Sequence, residues 1–399
     1  MQLTSAPASR VSIVAVGAVY AVQGFGFALM VTSFPAMKGR YDLSDTLVSI
    51  LLLSLALTAA GGSVLANAIS VRRNSRMAVL AGLTLQILGL ATIGSGLPVE
   101  AYVVGVVIYG VGLGAIDASS AMQGVLAQRG RERTLLGRYF AVNTLASIAA
   151  TVVMSVLLGA AMDATVALMS LAVVNIAVVV IGARTLIPEH AARSTSRARA
   201  GRLPWRPVLI LGALIFAAFT ADSAVSSWSS VYLDDTLEVS PAAAPLAYGA
   251  YLVVVLLSRL SVDFFSRRVS TATLALGALM IGAPGCALVA FVPTFPAALI
   301  GFALIGVVAG ALVPVTFTAA GRVLAERSDE LVARVNLFNY AGAIIGAVAT
   351  GLIGESVGLG LAFLLPLVAL VAVVPAVIAL GRLTRTSPAD VTDTSQAVS

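Results

Sequence analysis

Val125-Leu126-Ala127-Gln128-Arg129 returns 198 residues later as Val323-Leu324-Ala325-Glu326-Arg327. Five residues of an Ala- and Val-rich chain decide nothing alone, but other pairs keep the same order and nearly the same distance. Arg72-Arg73 returns as Arg267-Arg268, 195 residues on, and Arg138-x4-Asn143 returns as Arg334-x4-Asn339, 196 on. Gly110 and Gly306 are also 196 apart. A period of about half the 399-residue chain is a duplicated unit, not a short solenoid repeat.

The duplicated material is apolar. Hydrophobic residues make up 59% and charged residues 11%, against roughly 25% charged in a soluble domain. The apolar residues fall into twelve runs, near 11–35, 45–69, 77–97, 100–127, 139–162, 164–187, 207–233, 244–266, 271–292, 295–320, 335–356 and 359–381. Runs of about 20 residues match the ~30 Å hydrocarbon layer at 1.5 Å rise per residue. The expected fold is an all-α integral membrane protein of twelve transmembrane helices in two six-helix bundles, 1–187 and 207–385. Residues 188–206 form a charged linker, and 386–399 a Ser/Thr/Asp-rich tail expected to be disordered.

Charge orients the chain. Arg72, Arg73, Arg76, Arg129, Arg131, Arg133, Arg138, Arg193, Arg197, Arg199, Arg202, Arg267, Arg268, Arg327 and Arg334 fall in or beside one set of loops; Asp42, Asp45, Glu100, Asp163, Asp234, Asp235, Glu238 and Glu355 fall in the alternate set. Of the 24 Lys and Arg, only Lys38 and Arg40 join the acids. The Arg-rich loops and both termini are therefore expected in the cytoplasm, with the chain multi-pass in the cytoplasmic membrane. The same bias accounts for the pI near 9.8, so a nucleic-acid partner is not expected. With one cysteine, Cys286, and one histidine, His190, the chain has no intramolecular disulfide and too few ligands for a Cys- or His-based metal site. No cofactor or metal is expected, and a membrane enzyme lacks a nucleophile–base pair. A monomer is expected.

A fused duplication in a membrane protein points to secondary transport, with the two units related by an axis along the membrane normal and a site near the midplane. Charged groups at membrane depth mark where solute or ions act, because an acid at a helix centre costs about 2.5–3.5 kcal/mol. Asp117 and Asp222 are the two acids that fall well inside a run. Asp117 shares a helical face with Gly110, Gly114, Ala121 and Gly124, nearly bare apart from its carboxyl group. Asp222 is followed on its face by Ser226 and Ser229, and Trp228 and Tyr232 are read as cavity wall or interface anchor. Each acid either takes a proton or cationic solute group, since desolvation favours the neutral form, or is a hydrogen-bonded structural residue.

Tyr20, Gln23, Phe27, Met30 and Phe34 form a second face in the first run, either ligand-facing or packed around one satisfied amide. Arg259 and Asp263, four apart, are either a local pair or one side of a gate latch. Arg138, Asn143, Arg334 and Asn339 occupy matching helix ends and are expected to gate. Pro314 to Thr318 is expected to interrupt its helix.

The twelve runs, the 6+6 duplication and the basic linker resemble the major facilitator superfamily over essentially the whole chain. Ala221-Asp222-Ser223-Ala224-x3-Trp228-Ser229-x-Val231-Tyr232-Leu233, Arg259-x3-Asp263, Gly112-x-Gly114-x2-Asp117 and Tyr340-x-Gly342-x3-Gly346 are most similar to the fucose-permease-like group and its bacterial relatives. Departures are clear. Val71-Arg72-Arg73-Asn74-Ser75-Arg76 lacks the acid and glycine of the usual Asp-Arg-x-Gly-Arg loop; Ala121 and Phe140 stand where relatives often carry Asn and His. The resemblance implies a secondary transporter of a small organic solute working by alternating access, with Tyr20, Gln23, Phe27, Ser226, Trp228 and Tyr340 lining the cavity and the proton as coupling ion. An exporter of drugs or secondary metabolites by proton antiport is the alternative on the same fold, and a non-transporting sensor a further one.

Overall fold

A computed structural model describes residues 9–128, 135–188, 204–323 and 327–385. Every regular element among them is helical. The helices are α1 (Arg10–Thr32), α2 (Phe34–Tyr41), α3 (Asp45–Arg72), α4 (Ser75–Gly94), α5 (Val99–Gln128), α6 (Leu136–Gly159), α7 (Ala164–Thr185), α8 (Trp205–Val231), α9 (Leu246–Phe265), α10 (Thr271–Phe291), α11 (Phe295–Val307), α12 (Val313–Val323), α13 (Ser328–Ile344), α14 (Thr350–Val357), α15 (Leu359–Ala362), α16 (Leu364–Ala372) and α17 (Val374–Arg385). Eleven helical stretches among the described residues are long and apolar enough to cross a membrane. The eighth expected run is α9, whose apolar part Leu246–Val262 is shorter than those eleven. Most of the 188–206 linker, the 386–399 tail, and Arg129, Arg131 and Arg133 lie outside the described residues.

The helices begin where polar side chains offer an oxygen to an unpaired backbone N–H. Ser9, Ser44, Asn74, Asp163 and Ser270 each cap a helix this way. The α14–α15 break falls at Gly358, whose φ of 92° suits a residue without Cβ.

Contacts divide the chain into two compact units: Met1–Thr195 with Ser240–Gly249, and Ser196–Val239 with Ala250–Ser399. In the first, the Ser155 hydroxyl donates to the Ala242 carbonyl at 2.5 Å and ties the 240–249 segment to α6. Lipid tails are as apolar as leucine, so membrane helices associate by close packing rather than by burial from water. Glycines make that approach possible. In unit 1, a Cβ on Gly89 would stand 2.8 Å from the Gly105 carbonyl oxygen, and one on Gly105 3.0 Å from that of Gly89. In unit 2, Gly285 and Gly301 repeat this reciprocal contact at 2.6 and 2.8 Å. Gly110 and Gly114 press on the Leu55 and Ala59 carbonyls; Gly306 and Gly310 press on those of Tyr251 and Val255. Each residue of the second set follows its counterpart by 196, so the repeat is written in the helix contacts as well as in the loops.

The units differ in regularity. π-helical turns occur at Tyr232–Thr236, Val308–Leu312 and Ile345–Ala349, all in unit 2. The interruption expected at Pro314–Thr318 lies earlier, at Val308–Leu312. A proline ring collides with the carbonyl four residues before it, here Gly310, so the helix widens upstream while α12 continues through Pro314.

Candidate functional site

Asp117 sits on the unbroken α5 with exposed surface, while Gly114, Ser120 and Gly124 around it are buried. Gln23 of α1 donates from Nε2 to Asp117 Oδ1 at 2.5 Å. The Gln23 carbonyl oxygen accepts from the Ser120 hydroxyl at 3.5 Å, and Ser120 also donates to the Asp117 backbone carbonyl at 3.0 Å. Two residues singled out separately, 94 positions apart, therefore form one polar group.

One turn before Gln23, Tyr20 is 2% exposed, and its phenol oxygen packs against Gly124. Its ring stacks on Tyr139 at 5.1 Å and meets Phe140 edge-on at 5.6 Å and 80°. Phe140 keeps half its surface exposed, and Phe27 is half-buried. Asn143 donates its amide to the Tyr20 carbonyl at 3.1 Å, and Gly24 packs against the Asn143 carbonyl. Asn143, expected to gate, thus fixes α1 against α6 within unit 1. Its repeat partner Asn339 does something different: among the described residues it donates to Asn336, on its own helix, at 3.5 Å. Arg138 and Arg334 are exposed.

Unit 2 holds its acid more firmly. The half-buried Asp222 accepts from the Tyr251 hydroxyl of α9, and Arg259, two turns along the same helix, acts on its charge. Tyr251 is the residue that sequence reasoning missed; it stands 29 positions from Asp222, with no local pattern linking them. The Asp263 side chain lies outside the described residues, so the Arg259–Asp263 pair is not described. Ser226 is buried and donates to the Ser223 carbonyl at 3.4 Å. Trp228 is fully buried, and its indole N–H donates to the Ala347 carbonyl at 2.6 Å, inside the π-turn of helix 345–349. A π-turn shifts the backbone pairing and leaves a carbonyl for a side chain to satisfy. Trp228 is therefore an anchor in the packing of α8, with no surface on an open cavity. Tyr340 is half exposed. Gly342 of α13 and Gly346 of the π-turn after it press on the Phe216 and Thr220 carbonyls and set the close contact of both with α8.

At the acid-rich end of unit 1, Lys38 pairs with Asp45 at 2.6 Å and Arg40 with Asp163 at 3.1 Å. The Thr165 backbone N–H, with lesser help from Arg40, holds the Asp163 carboxyl below the usual carboxylate range. Among the described residues, no group of three or more Cys, His, Asp and Glu is placed to hold a metal.

The model of the Major Facilitator Superfamily matches residues 16–327 and, in a second overlapping placement, 215–398. An uncharacterised MFS-type transporter of Yersinia pestis is 25% identical over 345 residues, 86% of this chain and 88% of that protein. Among solved structures, the nucleoside transporter NupG aligns with a TM-score of 0.75 at 12% identity, over 92% of this chain and 99% of that one. The Escherichia coli fucose:proton symporter FucP aligns with a TM-score of 0.62 at 14% identity, over 93% and 98%. The chain belongs to the Major Facilitator Superfamily of membrane transporters, and it shares the fold of the fucose:proton symporter.

Proposed function

We propose that this transporter moves a small organic solute across the bacterial cytoplasmic membrane by alternating access, coupled to protons, with its Arg-rich loops and both termini inside. Membership of a transporter family supports the transport; the coupling rests on Asp117. An acid at membrane depth is costly, by about 2.5–3.5 kcal/mol when ionised. Among the described residues, the hydrogen-bond donor to its carboxyl group is a neutral amide, and Asp117 keeps exposed surface. Such a carboxylate is stabilised by a proton or a cationic group arriving from solution, which is what a coupled transporter requires. Asp222 is the second candidate.

The test uses liposomes containing the purified chain and an internal pH dye. Panels of sugars, nucleosides and organic amines are added under an imposed proton gradient. At least one solute is expected to move protons with it, and Asp117→Asn to reduce that movement to the level of empty liposomes. Gradient-driven flux persisting in both Asp117→Asn and Asp222→Asn proteins sinks the coupling. Export of an amphiphilic solute by proton antiport is a second reading, favoured by the apolar surface that the half-exposed Phe140 presents in unit 1.

A further inference from the structure

The two Arg-Arg pairs of the repeat differ in what precedes them. In unit 1 the pair follows Ile69-Ser70-Val71; in unit 2, 195 residues on, it follows Phe264-Phe265-Ser266. Phe264 and Phe265 are about half exposed and meet edge-on at 5.3 Å and 82°. Arg267 and Arg268 are exposed, and the Arg268 guanidinium lies over the Phe264 ring, 4.1 Å from its centroid. The turn that carries them is ordered. The Arg268 and Val269 amides both donate to the Phe265 carbonyl, at 2.9 and 3.0 Å, and Ser270 caps α10 directly after. An arginine seated on a ring is held by its flat face and keeps its N–H edge for phosphate oxygens, which it takes two at a time.

Beside this turn, α9 offers a path for a hydrocarbon chain. The helix packs through Tyr251, Leu252 and Val255, all buried. Its other side, Val253, Leu257, Leu260 and Phe264, follows the helical period and is exposed at every position. Arg268 comes one turn after Phe264 and ends this stripe. The apolar stretch Leu246–Val262 spans about 25 Å, short of the ~30 Å hydrocarbon layer. A helix that falls short draws the headgroups inward or lets flanking side chains reach out to them. Either adjustment brings lipid phosphate to the arginines that follow Phe264 and Phe265.

We infer that the α9–α10 turn of unit 2 holds an anionic phospholipid, its phosphate on Arg267 and Arg268 and an acyl chain along Phe264, Leu260 and Leu257. A net-negative headgroup is favoured over a zwitterionic one, whose own ammonium group would stand against two guanidinium groups. The unit 1 pair has the same charges but Ile69 in place of the ring, so the site belongs to one unit. The inference is independent of which solute is carried and of proton coupling.

The test is native mass spectrometry of the purified full chain in a neutral detergent, titrated with dioleoylphosphatidylglycerol and, separately, with dioleoylphosphatidylcholine. The glycerol lipid is expected to bind more tightly. Each arginine at an anionic lipid surface is worth about fivefold, so joint Arg267→Gln and Arg268→Gln should weaken the tightest phosphatidylglycerol binding at least about tenfold. Phe264→Ala should weaken it by a smaller factor. Joint Arg72→Gln and Arg73→Gln, the same charge change in unit 1, should leave that binding in place. Thermal unfolding without added lipid should be alike in all these variants, because the replaced side chains are exposed.

Equal affinity for the two lipids, or equal losses in the two double variants, overturns the inference. If inorganic phosphate at millimolar concentration displaces the phosphatidylglycerol, the turn takes a free anion and the lipid assignment falls.

Discussion

In unit 1, α5 runs unbroken through Asp117; 196 residues later, unit 2 has Val313, directly after the π-turn Val308–Leu312 and before Pro314. In unit 2, Asp222 stands on the first long helix; 196 residues earlier, unit 1 has Gly26, pressed against Leu171 and Tyr109. The glycine contacts that pack the helices are the same in both units, yet each unit carries its acid where the other has a packing or backbone device. Duplication kept what helix association needs and let the polar positions diverge, because a packing glycine has few substitutes while an acid is tolerated wherever its neighbours satisfy it.

That comparison can be broken at three points. The largest effect is expected at the shared glycines. Gly114→Ala forces a methyl group onto the Ala59 carbonyl in a straight helix, whereas Gly310→Ala meets Ser258 Cβ and Val255 inside a turn that is already widened. Overpacking costs about 1–3 kcal/mol, and Gly114→Ala should lie at or above the top of that range and Gly310→Ala near the bottom. Thermal unfolding in detergent measures both. Equal losses would mean that the π-turn gives unit 2 no slack.

The next effect separates the paired asparagines. Asn143→Ala removes a bond between helices, to the Tyr20 carbonyl, and should cost about 1 kcal/mol or more. Asn339→Ala removes a long bond within one helix and should cost less than half as much. If the two lose equally, the repeat is functional at these positions as well as sequential.

The smallest effect concerns the acid-rich end. The native Asp163 carboxyl titrates below its ordinary value, so its contribution is present above that value, about pH 3.9, and fades as pH falls through the lower native one. Asp163→Asn should therefore lower the melting temperature slightly and by a constant amount from pH 8 to 5. The gap should close below pH 4. A gap that widens on acidification has the wrong sign for this assignment. The exposed Arg40 pair adds at most about 1 kcal/mol.

The all-helical fold with many membrane-length helices was legible because it is written in a bulk property, apolar run length. The helix-packing repeat was legible in principle, since Gly89 and Gly285, Gly105 and Gly301, and Gly114 and Gly310 all keep the offset of 196. It was hidden among 36 glycines, whose roles differ only by what they face. Asp117 and Gln23 were each visible as polar residues on apolar helices, but their bond is a tertiary fact. Trp228 shows the limit most clearly. The serines around it read as the wall of an aqueous cavity, yet Ser226 bonds its own helix and the indole answers a carbonyl in the turn at 345–349. That turn has no proline within it and no compositional signal, so no reading of α8 alone could place its partner.

The same bond gives the molecule an optical handle. The chain has two tryptophans, both on α8: Trp205 at its start, two-thirds exposed beside Arg206, and Trp228 near its far end, sealed from solvent. Their emission should separate by colour. With Trp205→Phe, the remaining fluorophore lies six residues from Asp222, about 9 Å along the helix, and its indole N–H is held by the π-turn. A rearrangement of that turn would alter the polarity that the indole senses, so the native chain carries its own reporter of motion in unit 2 without an attached dye.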